Sequence, residues 1–331
     1  MSTGTGASDL LTAEDSGIDA IVGGNAPVAA RSPLQLFWRR FRKDKVALAA
    51  GTFIVLLIFV AIFAPLIRNI LGTPDPNVGD TAALDDFGLP VGPSSEHLFG
   101  VDGLGRDIFS RVLDGARVSL LVAFVGTGLS VAIGVTMGMI SGFYRGWVDT
   151  AIARTIDVLL AFPVLLLGLG LASACSGTNG CLGGTLEPGL TVVIVIIVIS
   201  NWPYVARIIR GQVLSLREKE FVEASTSLGA SNRRIIFREI LPNLVAPIIV
   251  YTTLFIPANI LLEASLSFLG VGVQPPQASW GEMLSDASTM LGSAWWYMLF
   301  PGLALLLTVL AFNLVGDGMQ DALNPKSTRS R

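Results

Sequence analysis

Six stretches of this chain, 46–67, 118–140, 158–174, 189–206, 244–262 and 297–315, contain no Asp, Glu, Lys or Arg at all. A helix needs about 20 consecutive apolar residues to cross a hydrocarbon core of about 30 Å, and inside that core each backbone polar group has to be satisfied within the helix itself. Six such stretches in 331 residues leave little room for the alternative, buried core helices of a soluble protein. The composition agrees, with 14% charged residues against roughly 25% in a soluble domain. The expected fold class is an all-α integral membrane protein with six transmembrane helices.

The basic residues give the orientation. Six Lys and Arg precede the first stretch, two lie between the second and third, seven between the fourth and fifth, and three follow the sixth, while the alternate segments hold four, none and none. Positive flanks stay on the cytoplasmic side, so both termini are expected in the cytoplasm, together with the connection 207–243.

Residues 1–30 are small and polar with no basic region ahead of an apolar run, which reads as a disordered cytoplasmic tail rather than a cleavable signal. Residues 31–45 mix Phe37, Trp38 and Phe41 with Arg39, Arg40, Arg42, Lys43 and Lys45, the pattern of a basic amphipathic segment lying on the inner membrane surface. Its place beside a span favours lipid over nucleic acid as its partner. The extracytoplasmic segment 68–117 opens with the turn-rich GTPDPNVGD and is expected to be irregular, then to form a short helix with surface pairs Asp107–Arg111 and Asp114–Arg117. Residues 118–315 form the core with five further spans, and 316–331 a cytoplasmic tail. Segment 263–296, free of Lys and Arg, reads as a structured lid-like loop ending in the aromatic belt Trp295, Trp296, Tyr297. Gly134 and Gly138 form a GxxxG pair suited to helix packing.

Several chemistries have nothing to stand on. There is no G-x-x-x-x-G-K-[ST] phosphate loop, no HExxH and no GxSxG, and His97 is the single histidine, so neither catalysis nor nucleotide binding is expected of this chain. Two cysteines and a lone histidine make no zinc site. Cys175 and Cys181 flank SGTNG; a disulfide on an oxidising side and two unpaired small residues both remain open. Polar residues in or beside the spans are Asn201 next to Trp202, Asn259, Glu263 and Asn313. They are candidates for lining a translocation path, the alternatives being hydrogen bonds between helices for the asparagines and simple solvation for Glu263.

The largest basic cluster lies in 207–243. Leu214, Phe221 and Leu228 recur every seven residues as an apolar stripe, and Gly229 suits the left-handed cap at which a helix stops. Ser231 then starts a second helix with Arg234 and Arg238 on one face and Ile236, Phe237, Ile240 and Leu241 on another, until Pro242 ends it. The expected product is a helix-turn-helix elbow in the cytoplasm, or else an amphipathic linker folded on the membrane.

EASTSLG with a downstream ILP resembles the EAA loop of membrane subunits of ATP-binding cassette importers: Glu223, Ala224 and Gly229 match, and Ser225 stands where Ala is usual. From about Pro33 onward, HLFGVDGLGRDIFSRVLDGARVSL, GFYRGWVDTAIARTIDVLLAFPVLLL, EASLSFLGVGVQPPQASWGEML and PGLALLLTVLAFNLVGDGMQDALNP are similar to the C-type permeases of dipeptide, oligopeptide and nickel importers. The resemblance implies a type I importer permease in a bacterial inner membrane, with Glu223, Ala224, Ser225, Leu228, Gly229 and Ala230 contacting an ATPase. It further implies a B-type permease partner, two ATPase subunits that bind ATP and Mg, and an extracytoplasmic binding protein, with no cofactor in this chain. The main rival, a transporter working without ATP, would call for internal repeats or ionisable residues deep in the spans; a scaffold or receptor is the other.

Overall fold

A computed structural model describes residues 33–175 and 189–323. The expected tail 1–30, Cys181 and the end of the C-terminal tail lie outside the described residues. The chain divides into two units, Met1–Arg40 and Phe41–Arg331. In the first, the described part belongs to helix α1 (Pro33–Phe41), on which Trp38 is exposed.

The second unit is helical, and among the described residues it holds no β-strand, only two isolated bridges. Its long helices are α2 (Lys45–Leu71), α3 (Ile108–Tyr144), α6 (Leu190–Arg217), α8 (Asn232–Phe268) and α10 (Trp295–Leu323). Shorter ones are α4 (Gly146–Ala161), α5 (Val164–Cys175), α7 (Glu220–Ser227) and α9 (Trp280–Ser288). Five helices are long and apolar enough to cross a membrane. The expected third span, 158–174, is not one straight helix: α4 and α5 meet at an 86° bend and give a sixth crossing only if counted as one broken span. The break falls where Pro163 pushes the preceding residue out of the helical region; Phe162 is extended, at φ −84° and ψ 130°.

Helix ends follow local chemistry. Asp44 accepts from the N–H groups of Val46 and Ala47, both at 3.0 Å, and starts α2. Gly72, at φ +68°, ends it. The expected stop at Pro242 does not occur. A π-helical turn at Ile235–Ile240 precedes the proline and α8 runs through it, because the widened turn makes room for a ring that would otherwise meet the carbonyl four residues back. Likewise α10 continues to Leu323, so the segment from 316 begins as helix rather than tail.

The most extensive helix–helix packing is a seam between α3 and α6. Gly126, Ser130, Gly134, Gly138 and Gly142 recur every fourth residue along one side of α3, extending the GxxxG pair to five positions. A Cβ at Gly134 would lie 2.5 Å from the Val205 side chain, at Gly138 2.6 Å from the Ala206 carbonyl oxygen, and at Gly142 2.8 Å from the Val213 side chain. Absent side chains let two backbones approach, the usual device where lipid offers no hydrophobic drive. A second cluster joins Ala50, Ile54 and Ala61 of α2 to Leu120 and Ala123 of α3, Ile256 and Ile260 of α8, and Phe312 of α10.

Segment 72–107 is irregular as expected, apart from a 3-10 turn at Thr81–Ala83. Its aspartates serve the backbone: Asp75 accepts from Asn77, Asp80 from Ala82, and Asp85 from Phe87 and Leu89. The short helix with surface pairs is replaced by the first turns of α3. Asp107 caps that helix by accepting from the Ser110 N–H at 2.8 Å and faces His97 Nδ1 at 3.0 Å. Arg111 is fully buried and donates to Glu282 at 2.8 Å, and Asp114 pairs with Arg68 at 3.8 Å instead of Arg117. Glu282 belongs to α9, which Ser279 caps and which supplies the structure of the lid-like loop. Burial pushes the Glu282 carboxyl above the usual range despite the opposing pull of Arg111. Tyr297 is buried while Trp295 is exposed, so only part of the aromatic run forms a belt.

Candidate functional site: the elbow after α6

The elbow starts later than 207, because α6 continues to Arg217. After Glu218 and Lys219 the chain turns into α7, and two backbone bonds close that helix: Gly229 N–H to the Thr226 carbonyl at 2.9 Å and Ala230 N–H to the Ser225 carbonyl at 3.0 Å. With Gly229 at φ +76° this is the Schellman arrangement expected of a glycine cap. Ser231 occupies the next N-cap position in extended backbone, but its side chain makes no capping bond.

The expected stripe of Leu214, Phe221 and Leu228 is not buried as a unit. The helix breaks between α6 and α7, which resets the angular phase, and Val213 and Val222 are the buried residues instead. Val222 packs with Phe143 of α3, Val213 of α6, and Ile235, Ile236, Ile240 and Leu244 of α8. Phe221 is exposed, Leu228 is 88% exposed, and Phe237, expected beside Ile236, is exposed as well. Glu223 and Ala224 lie on the solvent side of α7, with Ser225 and Ala230 half-buried.

Polar ties fix the elbow base. Arg217 donates to the Phe143 carbonyl oxygen, with its guanidinium 5.5 Å from the centre of the Phe143 ring, and Arg145 donates to Glu218 at 2.7 Å. Deeper, Arg210 grips Asp149 through two bonds of 2.5 and 2.7 Å, Ser141 donates to the same carboxylate, and Arg207 meets Asp157 at 2.8 Å. The two arginines join α4 to α6, Arg210 in the bidentate form that guanidinium favours, and Ser141 ties α3 to the same carboxylate. A cleft of about 610 Å³ lies behind the elbow, lined by Tyr144, Arg217, Glu218, Glu223, Thr226 and Asn232 among others. Sequence reading missed these ties; the signal was two acids on α4, Asp149 and Asp157, opposite two arginines on α6.

The polar residues of the spans fall into separate groups. Asn201 donates to Asn259 at 2.7 Å and to the Ile197 carbonyl at 3.0 Å, and Asn259 donates to Thr127 at 2.7 Å, so α3, α6 and α8 share one chain of bonds. Glu263 is fully buried and accepts from Ser119 and Ser267, each at 2.8 Å. Asn313 is exposed and donates to its own helix at the Val309 carbonyl, and Trp202 is half-buried. Cys175 ends α5 buried and is not a free thiol; Cys181 lies outside the described residues. Among the described residues no group of three His, Cys, Asp or Glu is placed to hold a metal ion.

Residues 134–329 match the family model described as binding-protein-dependent transport system inner membrane component, and residues 32–80 match the N-terminal TM domain of oligopeptide transport permease C. The chain belongs to the binding-protein-dependent transport family. The permease is 41% identical over 297 residues to the dipeptide transport system permease protein DppC of Alkalihalophilus pseudofirmus, covering 90% of this chain and 91% of that one. It is 44% identical over 300 residues to the glutathione transport system permease protein GsiD of Escherichia coli O157:H7, covering 91% and 93%. Among solved structures, the inward-facing MetNI methionine ABC transporter matches with a TM-score of 0.54 at 19% identity, over 66% of this chain and 98% of that one, a likeness of fold. The chain is thus a multi-pass C-type permease subunit of an ATP-binding cassette importer, a family whose members work with ATPase and substrate-binding partners.

Proposed function

We propose that this permease forms half of a translocation path for short peptides and passes the motion of its ATPase partners into the membrane through the elbow. The observation that carries the second part is the tip of α7. Leu228 is a bare leucine held in water at the end of a helix whose other side is anchored by Val222. An apolar group exposed on a rigid support has the form of a docking anchor. Glu223, Ala224, Ser225, Gly229 and Ala230 frame it. The other half of the path would come from a B-type permease, with ATP and Mg held by two cytoplasmic ATPase subunits and substrate delivered by an extracytoplasmic binding protein. Both termini and the elbow are then cytoplasmic, as the basic residues predict. Relatives named for dipeptide and glutathione transport support a peptide as cargo.

Gly229 gives the test. A side chain there meets nothing within 4 Å, and Asn and Asp both tolerate a left-handed backbone. Gly229→Asn and Gly229→Asp should therefore fold alike while differing by one charge at the docking surface. In proteoliposomes containing all subunits, Gly229→Asn is expected to keep most peptide uptake and Gly229→Asp to lose it. Equal uptake by the two variants at the wild-type level would remove the elbow from the coupling route. If the binding protein loaded with dipeptides or longer peptides fails to raise ATP hydrolysis while another solute does so, the peptide assignment falls and the coupling assignment stands.

A further inference from the structure

Two concavities of the second unit adjoin at two side chains, Arg117 and Leu121. Between α2 and α3 runs an apolar groove of about 260 Å³, lined by Ile58, Ile62, Leu121 and Phe124, with Arg117 at its rim. Beside it lies a cleft of about 250 Å³ with a mixed lining, Asn77, Asp114 and Gln277 together with Val118 and Leu190, and again Arg117 and Leu121. Arg117 and Leu121, one turn apart on α3, line both spaces, which adjoin at these two side chains.

Arg117 is exposed and takes part in no hydrogen bond or ion pair among the described residues. The acid nearest in sequence on its helix, Asp114, makes its ion pair with Arg68 at 3.8 Å and feels Arg117 over a longer distance, so two guanidiniums share the one carboxylate of the cleft lining. It stands immediately before the uncharged stretch 118–140, the depth at which lipid phosphates meet a spanning helix. The groove opens on a side of α2 where Phe59, Ile62, Phe63 and Leu66 are all exposed.

We propose that groove and cleft together form a site for one net-anionic phospholipid. The Arg117 guanidinium takes the phosphate in its planar fork, the Asn77 and Gln277 amides offer hydrogen bonds to the headgroup, and one acyl chain fills the groove. Charge complementarity selects this occupant: a free phosphate would leave the groove open, and an uncharged apolar surface would bury the guanidinium unpaired. Such a lipid would join α2 to α3 at the height of the Arg68–Asp114 pair.

The test uses the permease with its partner subunits in phosphatidylcholine nanodiscs containing a minority of phosphatidylglycerol, and measures by mass spectrometry the phosphatidylglycerol retained after detergent exchange. Wild type is expected to retain it, Arg117→Lys to retain most, and Arg117→Gln to retain about fivefold less, the effect of one basic residue at an anionic surface. Leu121→Trp, which fills the groove and leaves Arg117 in place, should also expel the lipid. Equal retention by wild type and Arg117→Gln overturns the proposal. So does displacement by glycerol phosphate, which would make the site one for a free anion. Efficient crosslinking of Ile62→Cys to the second permease would show the groove filled by protein, and overturns it too.

Discussion

The seam between α3 and α6 can be weighed with two alanines on the same helix. A Cβ at Gly138 would lie 2.6 Å from the Ala206 carbonyl oxygen and 2.8 Å from the Ile209 Cβ. Unstrained carbon contacts sit at about 3.5–4.0 Å, so the helices must part by close to an ångström at that level, and a gap of that size forfeits about a quarter to a half of the dispersion energy of each contact it opens. Overpacking of this kind costs about 1–3 kcal/mol. At Gly128, nearly three turns earlier, nothing lies within 4 Å of the added atom. Replacing glycine in a helix gains up to about 1 kcal/mol of propensity at either position. Because that gain is common to both, Gly138→Ala should be less stable than Gly128→Ala by the packing cost alone, about 1–3 kcal/mol. Unfolding of each purified variant by SDS titration in mixed micelles measures the difference. If the two agree within about 0.5 kcal/mol, the usual scatter of surface substitutions, the seam is not close-packed and the account of the glycine stripe fails.

Leu228→Ser should leave unfolding within about 0.5 kcal/mol of wild type, since the side chain is exposed, yet lower uptake per ATP hydrolysed in the reconstituted importer; unchanged coupling would show that Leu228 anchors nothing. Asn259→Leu breaks the chain from Asn201 to Thr127 and is expected to cost about 0.6–1.7 kcal/mol. A double-mutant cycle with Thr127→Val should show coupling between the two, and strict additivity would count against the bond. Arg111→Met removes the guanidinium 2.8 Å from buried Glu282 and should cost about 3–5 kcal/mol at neutral pH. Burial raises the folded pKa of Glu282, so its stabilising share is present below the unfolded carboxyl pKa and lost as pH rises through the folded one. The deficit of Arg111→Met should therefore shrink as pH falls into the carboxyl range, and a deficit independent of pH would show that the uncompensated carboxylate is not its cause.

What was legible in the sequence depended on how local its cause is. Exclusion of charge from hydrocarbon marks each span by itself, so the stretches could be read directly. The bend at Phe162 and Pro163 was written in the chain too, but a proline inside an apolar run permits either a kink or a break, and only the packing of α5 decides. Gly229 was legible because a left-handed cap is a property of a few residues. The stripe through Leu214, Phe221 and Leu228 was not, because its period assumes one helix, and the break at Glu218 and Lys219 turns the later residues outward. Arg111 misled for the opposite reason. Four residues from Asp107 it reads as a surface pair, but its hydrogen-bonded acid, Glu282, lies 171 positions away.

The same long-range packing explains why an elbow so short can act as a lever. Val222 shares one buried cluster with Val135, Met139 and Phe143 of α3, Val205, Ile209 and Val213 of α6, and Ile235 and Ile240 of α8. That cluster continues directly into the glycine seam, and Arg217 ties the base of the elbow to the last turn of α3 through the Phe143 carbonyl. A displacement applied at Leu228 therefore meets no loose joint before it reaches the paired helices, since close-packed interiors transmit strain rather than absorb it. If the elbow docks on an ATPase, α3 and α6 must move together as one body, and the Asn201–Asn259–Thr127 bonds carry that motion to α8 at mid-span. Loosening the seam at Gly138 should then weaken coupling without touching the elbow, whereas Leu228→Ser weakens coupling without touching the seam. Two distant lesions with one functional outcome, one that costs stability and one that leaves it unchanged, are what a rigid lever requires.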